Sequence, residues 1–425
     1  MACMQICPTE AIRVRRRRVA IWHDRCIDCG ECVRVCPNGA VVPRTSSFSD
    51  FSGFKRTIAL PSPVIYSQFG KDVRPAALLG ALRRIGFDDA CDVACASESV
   101  SIAIQEYLDT VDSPRPLISP FCPAIVRLVQ IRYPNLLSHL IPIESPMVIA
   151  AREAKRLAMQ TYDLKENEVG AIYITPCPAK MLAVKDPPRR RHSFVNGTIA
   201  INEIYANVVR ALAEQGPNDG AGEIRGLGLG WPILGGQVAC LKAEDCLAIG
   251  GVSDAVRVFE EIENGKLKDI QYIEVHSCPT ACVGGSLTVE NSYIARGKVL
   301  NLVRKYGATP CQDRAKIREL YHKGFFSLLG KIPPLPLQPL GEDVSHALQA
   351  LNQKRKIFDQ LPGINCGACG APSCSALAED VVRGEATAED CVFIAMRQFE
   401  QLSATLLEKV QAHSEKVHGP KERTS

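Results

Sequence analysis

Between residues 55 and 330, short apolar runs alternate with longer amphipathic stretches. Residues 57–60, 171–175 and 272–275 are nearly unbroken apolar segments of strand length, as expected of buried strands. Residues 74–85, 147–160, 201–214 and 252–262 carry helical apolar spacing. This alternation predicts an α/β domain. Residues 331–340, with four prolines, can continue neither a helix nor a central strand, so they read as a stiff linker. Residues 395–417 read as one helix, whose stripe of Phe399, Leu402, Leu406 and Val410 is expected to pack on its own domain. The polar residues after it are expected to be disordered.

The chain has 425 residues, enough for two or three domains. Its net charge of +4 gives no reason to expect nucleic acid as a partner. No apolar run is long enough to span a membrane, and the start lacks the apolar core of a signal peptide. A cytoplasmic location is therefore expected. There thiols stay reduced, and clustered cysteines read as metal ligands. Of the 19 cysteines, six lie within the first 36 residues and four between 366 and 391.

Cys26, Cys29, Cys32 and Cys36-Pro37 form C-x2-C-x2-C-x3-C-P, the bacterial ferredoxin run, in which the fourth cysteine serves the other cluster. Cys3 and Cys7-Pro8 fit the last two positions of a matching first run. One 4Fe-4S cluster is then complete, with Cys7, Cys26, Cys29 and Cys32. A second has only Cys3 and Cys36, and a start recorded too far downstream is the favoured reason. Arg15 to Arg18 separate the two halves and read as a solvated hairpin turn, or as a docking patch for an acidic partner. At the other end, Cys366, Cys369, Cys374 and Cys391 give C-x2-C-x4-C-x16-C. The close, glycine-flanked triple suits a cubane, with the fourth ligand returned by a helix. This segment looks like the cluster domain of Rnf-type electron-transport subunits and corrinoid iron–sulfur proteins.

Three proline-flanked motifs remain: Ser119-Pro-Phe-Cys122-Pro-Ala, Thr175-Pro-Cys177-Pro-Ala-Lys180 and Glu274-Val-His-Ser-Cys278-Pro-Thr-Ala-Cys282-Val-Gly284-Gly285. Singly, each cysteine reads as structural. Together they offer four thiolates at strand ends, enough for a cubane and one further bond. Cys278 and Cys282 could share a helical face. Gly284 and Gly285 would admit a bulky group. Cys91, Cys95, Cys240, Cys246 and Cys311 read as packing residues.

Over residues 55–330 the chain resembles the [FeFe]-hydrogenases, whose three signature motifs have these cysteines in this order. The resemblance implies an H-cluster, a cubane joined by a cysteine thiolate to a diiron unit carrying CO, cyanide and a dithiolate. Cys122, Cys177 and Cys278 would ligate the cubane, Cys282 would bridge to the diiron unit, and Lys180 would hydrogen-bond a cyanide. The implied organisation is a ferredoxin-like α+β domain (1–53), an H-cluster domain of mixed sheets with flanking helices (54–330), a small helical 4Fe-4S domain (331–395) and a C-terminal helix and tail (396–425). Two 4Fe-4S clusters lie outside the H-cluster, or three if the first run is complete.

Active members of the family have a proton-relaying cysteine where this chain has Phe121. Ala183 replaces the glutamate expected after the lysine. Thr175 and His276 stand at methionine positions, and Ile104 and Tyr107 at the positions of relay carboxylates. Losing a positioned acid–base group costs about 10²–10⁴-fold. The expectation is therefore a slow H-cluster protein, with His276 as a candidate substitute relay. The domain combination is similar to the sensory [FeFe]-hydrogenases. It implies H2 and protons as reactants, and a redox protein, kinase, phosphatase or regulator as partner. The alternative is an electron-transfer or iron–sulfur assembly protein with 4Fe-4S clusters and no diiron unit. An ordinary high-turnover hydrogenase is disfavoured by Phe121.

Overall fold

The computed structural model describes residues 1–16, 18–186, 193–214 and 224–418. The chain divides into two compact units, residues 27–336 and residues 1–26 with 337–425.

The larger unit is α/β, and among its described residues the strands form two sheets with parallel ladders. Its strands are β3 (Arg56–Pro61), β4 (Asp89–Ala90), β5 (Leu117–Ile118), β6 (Val169–Thr175), β7 (Gly197–Ala200), β8 (Cys246–Gly250) and β9 (Tyr272–His276); β1 and β2 belong to the smaller unit. One sheet runs β4-β3-β6-β7 and the other β5-β9-β8. Both faces of the first sheet are apolar, which explains why its strands show no polar alternation. Ile58, Leu60, Ala171 and Tyr173 join the core formed with helices Val93–Thr110 and Pro146–Tyr162. Ala59, Ile172 and Ile174 join the core formed with helices Pro75–Arg84 and Ile201–Ala213. In the second sheet, Ile118, Ile249, Ile273 and Val275 pack with helices Pro123–Arg132 and Val252–Glu263.

Helix starts are set locally. Pro75, Pro123, Pro146 and Pro178 each open a helix, where a proline lacks nothing the helix needs. Asp92 caps Val93–Thr110 by accepting from the Ala94 and Cys95 amides, and it also accepts from the Tyr66 hydroxyl at 2.7 Å.

The smaller unit contains the antiparallel hairpin of β1 (Ile12–Arg15) and β2 (Arg18–Ile21), and helices Val344–Gln360, Cys374–Val382 and Val392–His418. Leu361, Ala371, Leu377, Cys374 and Cys391 form its buried centre. Two expectations are corrected here. The stripe on the last helix is not packed on its domain: Phe399, Leu402, Leu406 and Val410 are 74%, 66%, 56% and 65% exposed. Near the start of the helix Ile394 packs, half-buried, against the centre that contains Cys391, while Phe393 and Met396 are exposed like the stripe. Arg15 is not a solvated turn residue, since its side chain is about one-quarter exposed and ion-paired with Asp380. Residue 17 of the arginine run and the polar tail from 419 lie outside the described residues.

Candidate metal centre

Parallel pairing aligns strand ends, and the three motifs sit at such ends. Cys122 follows β5 and is the N-cap residue of helix Pro123–Arg132. Cys177 follows β6 and is the N-cap residue of helix Pro178–Lys185. Cys278 follows β9, the neighbour of β5. Cys278 and Cys282 do not share a helical face, contrary to the spacing argument. Cys278 lies in a bend, and Cys282 lies in the short 3-10 turn Ala281–Gly284. The fold does bring the four cysteines into one electrostatic neighbourhood. Burial pushes the Cys177 thiol up to about 12, with Cys282 and Cys122 among the neighbours acting on it. Burial likewise pushes Cys278 up to about 12, with Cys177 and Cys122 next in effect.

Cys282 differs. Burial would raise its thiol, but Lys180 and His276 bring it down to about 6. The Lys180 Nζ is 3.8 Å from the Cys282 Sγ and donates to the Tyr173 hydroxyl at 3.4 Å. The His276 Nδ1 is 4.0 Å from the same sulfur. Burial would lower the His276 imidazole, yet Cys282 and Glu274 raise it to about 10. Glu274 lies two residues earlier on β9, on the same face, and accepts from the His276 Nε2 at 2.9 Å. The same carboxylate accepts from the amides of Gly235, Gln237 and Val238, so it is locked in place. The sequence motif contained Glu274 without disclosing its role, although the i, i+2 strand spacing carries it.

Above Cys282 opens a cavity of about 340 Å³, lined among others by Phe121, Lys180, Trp231, Gln237 and His276. Phe121 packs against Trp231, with ring centroids 5.2 Å apart. Ala183 also lines this space, as do the acidic residues Glu144 and Asp186. Gly284 and Gly285 lie in a tight turn: a Cβ would come within 2.3 Å of the Thr280 Oγ1 and 2.2 Å of the Pro176 carbonyl oxygen, respectively. Their glycines serve close backbone packing beneath the site. Ile104 is buried in the core, away from any such lining role. Arg34, which sequence reasoning missed, donates to the Gly284 carbonyl, and its Nη2 is 3.7 Å from the Cys278 Sγ.

Cys366, Cys369, Cys374 and Cys391 line one small pocket of the smaller unit. In the N-terminal run, the Ala11 amide donates to the Cys7 Sγ at 3.3 Å, and the Ala40 amide donates to the Cys36 Sγ at 3.2 Å. The two cysteine-proline turns thus repeat one geometry, and amide donors lower the Cys36 thiol. Cys3 lies on the short helix Ala2–Gln5. Cys26 precedes, and Cys29 and Cys32 flank, the left-handed Gly30. Among the remaining cysteines, Cys91, Cys240 and Cys246 pack against the core, while Cys95 and Cys311 face each other. Among the described residues, no three metal-binding side chains converge on a single ion. Thiolates around a cubane each meet a different iron, and so do not need to converge in that way.

The donor sets fit iron–sulfur groups: buried thiols at strand and helix ends, amide donors to sulfur, and one thiolate held by two cations beside an open cavity. Comparisons with known proteins agree. Residues 55–213 match the family described as iron only hydrogenase large subunit, C-terminal domain; residues 1–41 match a 4Fe-4S dicluster domain, and residues 361–393 an Fe-S cluster domain. The NADP-reducing hydrogenase subunit HndD of Solidesulfovibrio fructosivorans is 25% identical over 175 residues, 36% of this chain and 30% of that protein. Iron hydrogenase 1 of Clostridium pasteurianum is 27% identical over 220 residues, 49% of this chain and 36% of that protein. The aligned stretches thus span about a third of these curated relatives. In fold, the chain is similar to the apo [FeFe]-hydrogenase of Chlamydomonas reinhardtii, with a TM-score of 0.52 and 17% identity over 69% of this chain and 98% of that one.

Fold and sites together define an iron–sulfur protein with electron-transfer features. The hydrogenase large-subunit match over residues 55–213, with iron–sulfur matches towards both ends, makes the chain similar to the [FeFe]-hydrogenases, and its donor sets fit 4Fe-4S clusters and an H-cluster.

Proposed function

We propose that this protein reacts slowly with H2 at its H-cluster, senses H2 or redox state in this way, and passes electrons through 4Fe-4S clusters to a redox or signalling partner in the cytoplasm. The observation that carries the reading is a cavity built for a charged cofactor but lined by Phe121 where an acid is needed. Cys122, Cys177 and Cys278 are the proposed cubane ligands and Cys282 the bridging one. Cys366, Cys369, Cys374 and Cys391 are proposed to hold a second cubane, and the N-terminal run another by its spacing.

The H-cluster would supply the oxidation of H2 to two protons and two electrons. The chain's own residues bind and position it. Lys180 presents an ammonium to an anionic ligand that burial would otherwise leave uncompensated. Phe121 and Trp231 exclude water from one wall. His276 is fixed by Glu274 with its other nitrogen toward Cys282, and we assign it the proton-holding role that Phe121 cannot fill. His276→Ala is expected to lower the H2 oxidation rate about 10²-fold, the low end for a positioned acid–base group. A rate equal to the parent's would remove His276 from the path.

A second reading, electron transfer with cubanes alone, is favoured by the same Phe121. Against it stand the cavity and the two cations on Cys282, which a cubane-only site would not require.

A further inference from the structure

Arg13 and Arg15 of the N-terminal hairpin have a partner at the other end of the chain. In the smaller unit, Asp380 accepts a bidentate pair of hydrogen bonds from Arg13, at 2.7 and 3.0 Å, and one from Arg15 at 2.7 Å. Arg13 and Asp380 are almost wholly buried. Its neighbour Glu379 meets Arg25, Lys354 at 3.0 Å and Arg383 at 3.0 Å. Trp22 lies between Arg13 and Arg25, its ring centre 4.3 and 5.0 Å from the two guanidinium carbons. Five cations therefore meet two carboxylates, and this group carries a surplus of positive charge. Arg15 also donates to the carbonyl of Cys369. The Val14 amide donates to the Gly370 carbonyl at 2.8 Å. Gly370 has a φ of +81°, and a Cβ there would lie 1.8 Å from the Val14 carbonyl oxygen, so only glycine permits the contact.

A partly buried surplus of charge is costly where an opposite charge does not answer it. The two carboxylates already present do not suffice. The cysteine pocket begins on the same helix, at Cys374, and includes Cys369. Four thiolates around a cubane carry net negative charge, and reduction adds one more unit. We propose that the N-terminal hairpin completes the C-terminal cluster site, with Arg15 as a positioning residue whose charge favours the reduced cluster. This rests on the proposed cubane at Cys366, Cys369, Cys374 and Cys391. The cation beside the Cys369 loop raises that cluster's potential by ordinary Coulomb attraction in a low-dielectric surrounding. Arg15 is then internal countercharge rather than part of a docking patch for an outside acid.

The test is a redox titration of the full anaerobic protein by electron paramagnetic resonance, with iron content measured alongside. Cys391→Ser identifies which signal belongs to this cluster. If it removes neither signal nor iron, the cluster reading fails and the inference falls with it. With the signal assigned, Arg15→Gln is expected to move its midpoint to lower potential and to leave the other signals in place. Arg15→Lys, which keeps the charge, is expected to titrate near the parent. Arg15→Met, which removes the charge but keeps an apolar stem, is expected to shift the midpoint the same way and decides the matter if Arg15→Gln does not fold. An unchanged midpoint in a folded Arg15→Gln overturns the proposal, as does an equal shift in Arg15→Lys, or an unchanged midpoint in Arg15→Met when that variant must decide.

Discussion

At the residue scale, the balance at Cys282 decides what the large unit can hold. A buried thiol is ordinarily raised, as Cys177 and Cys278 are. Cys282 is the exception because two cations face it. The motifs disclosed Lys180 and His276 as neighbours of cysteines, but only folding shows that they converge on one sulfur. The role of Glu274 was hidden for the same reason, since its amide donors come from residues 235–238. Phe121 could be read from the sequence as a lost acid, and its packing on Trp231 shows the space refilled with apolar surface. Phe121→Cys places a thiol on the cavity wall and is expected to raise H2 turnover by on the order of 10²-fold. Measured by gas evolution from fully matured protein, an unchanged rate would mean that more of the path than this one position is remodelled.

At the scale of elements, the helices near residues 74–85, 147–160, 201–214 and 252–262 and the buried strands were legible from periodicity, because both patterns are local. The pairing of β5 with β9 was not, since it joins residues more than 150 positions apart. Nor was the state of the last helix. Its apolar stripe is real, but periodicity shows only that a face is apolar, not what covers it. Helix Val93–Thr110 supplies Val93 and Ser97 to the cavity wall, and its start depends on Asp92. Asp92→Ala removes two amide caps and the Tyr66 partner, and is expected to cost about 1–2 kcal/mol of stability. Chemical denaturation of the large-unit transition measures this, and a midpoint equal to the parent's would show that the cap is dispensable.

At the scale of the whole molecule, the cysteine content suggested a sequence of separate modules, and the chain is folded otherwise, with residues 1–26 in one unit with 337–425. Nothing local signals this: the ion pairs Arg13–Asp380 and Arg25–Glu379 span more than 350 positions. They also predict an acid response. Burial would raise the Glu379 carboxyl, but Lys354 and Arg25 hold it down to about 2, from an ordinary value of 4.5. A depressed carboxylate contributes stability that is fully present above pH 4.5 and is lost as pH falls toward 2. Glu379→Gln is therefore expected to be less stable than the parent at neutral pH, with the gap closing across that interval. Thermal unfolding of the smaller unit at stepped pH checks this, and a gap that does not depend on pH would contradict it.

The central claim is an H-cluster that responds to H2, and infrared spectroscopy of the anaerobically matured protein tests it most directly. The account predicts bands from iron-bound CO and cyanide that shift reversibly when H2 replaces argon. Their absence from protein made alongside working maturation enzymes would contradict it and leave a cubane-only electron-transfer protein.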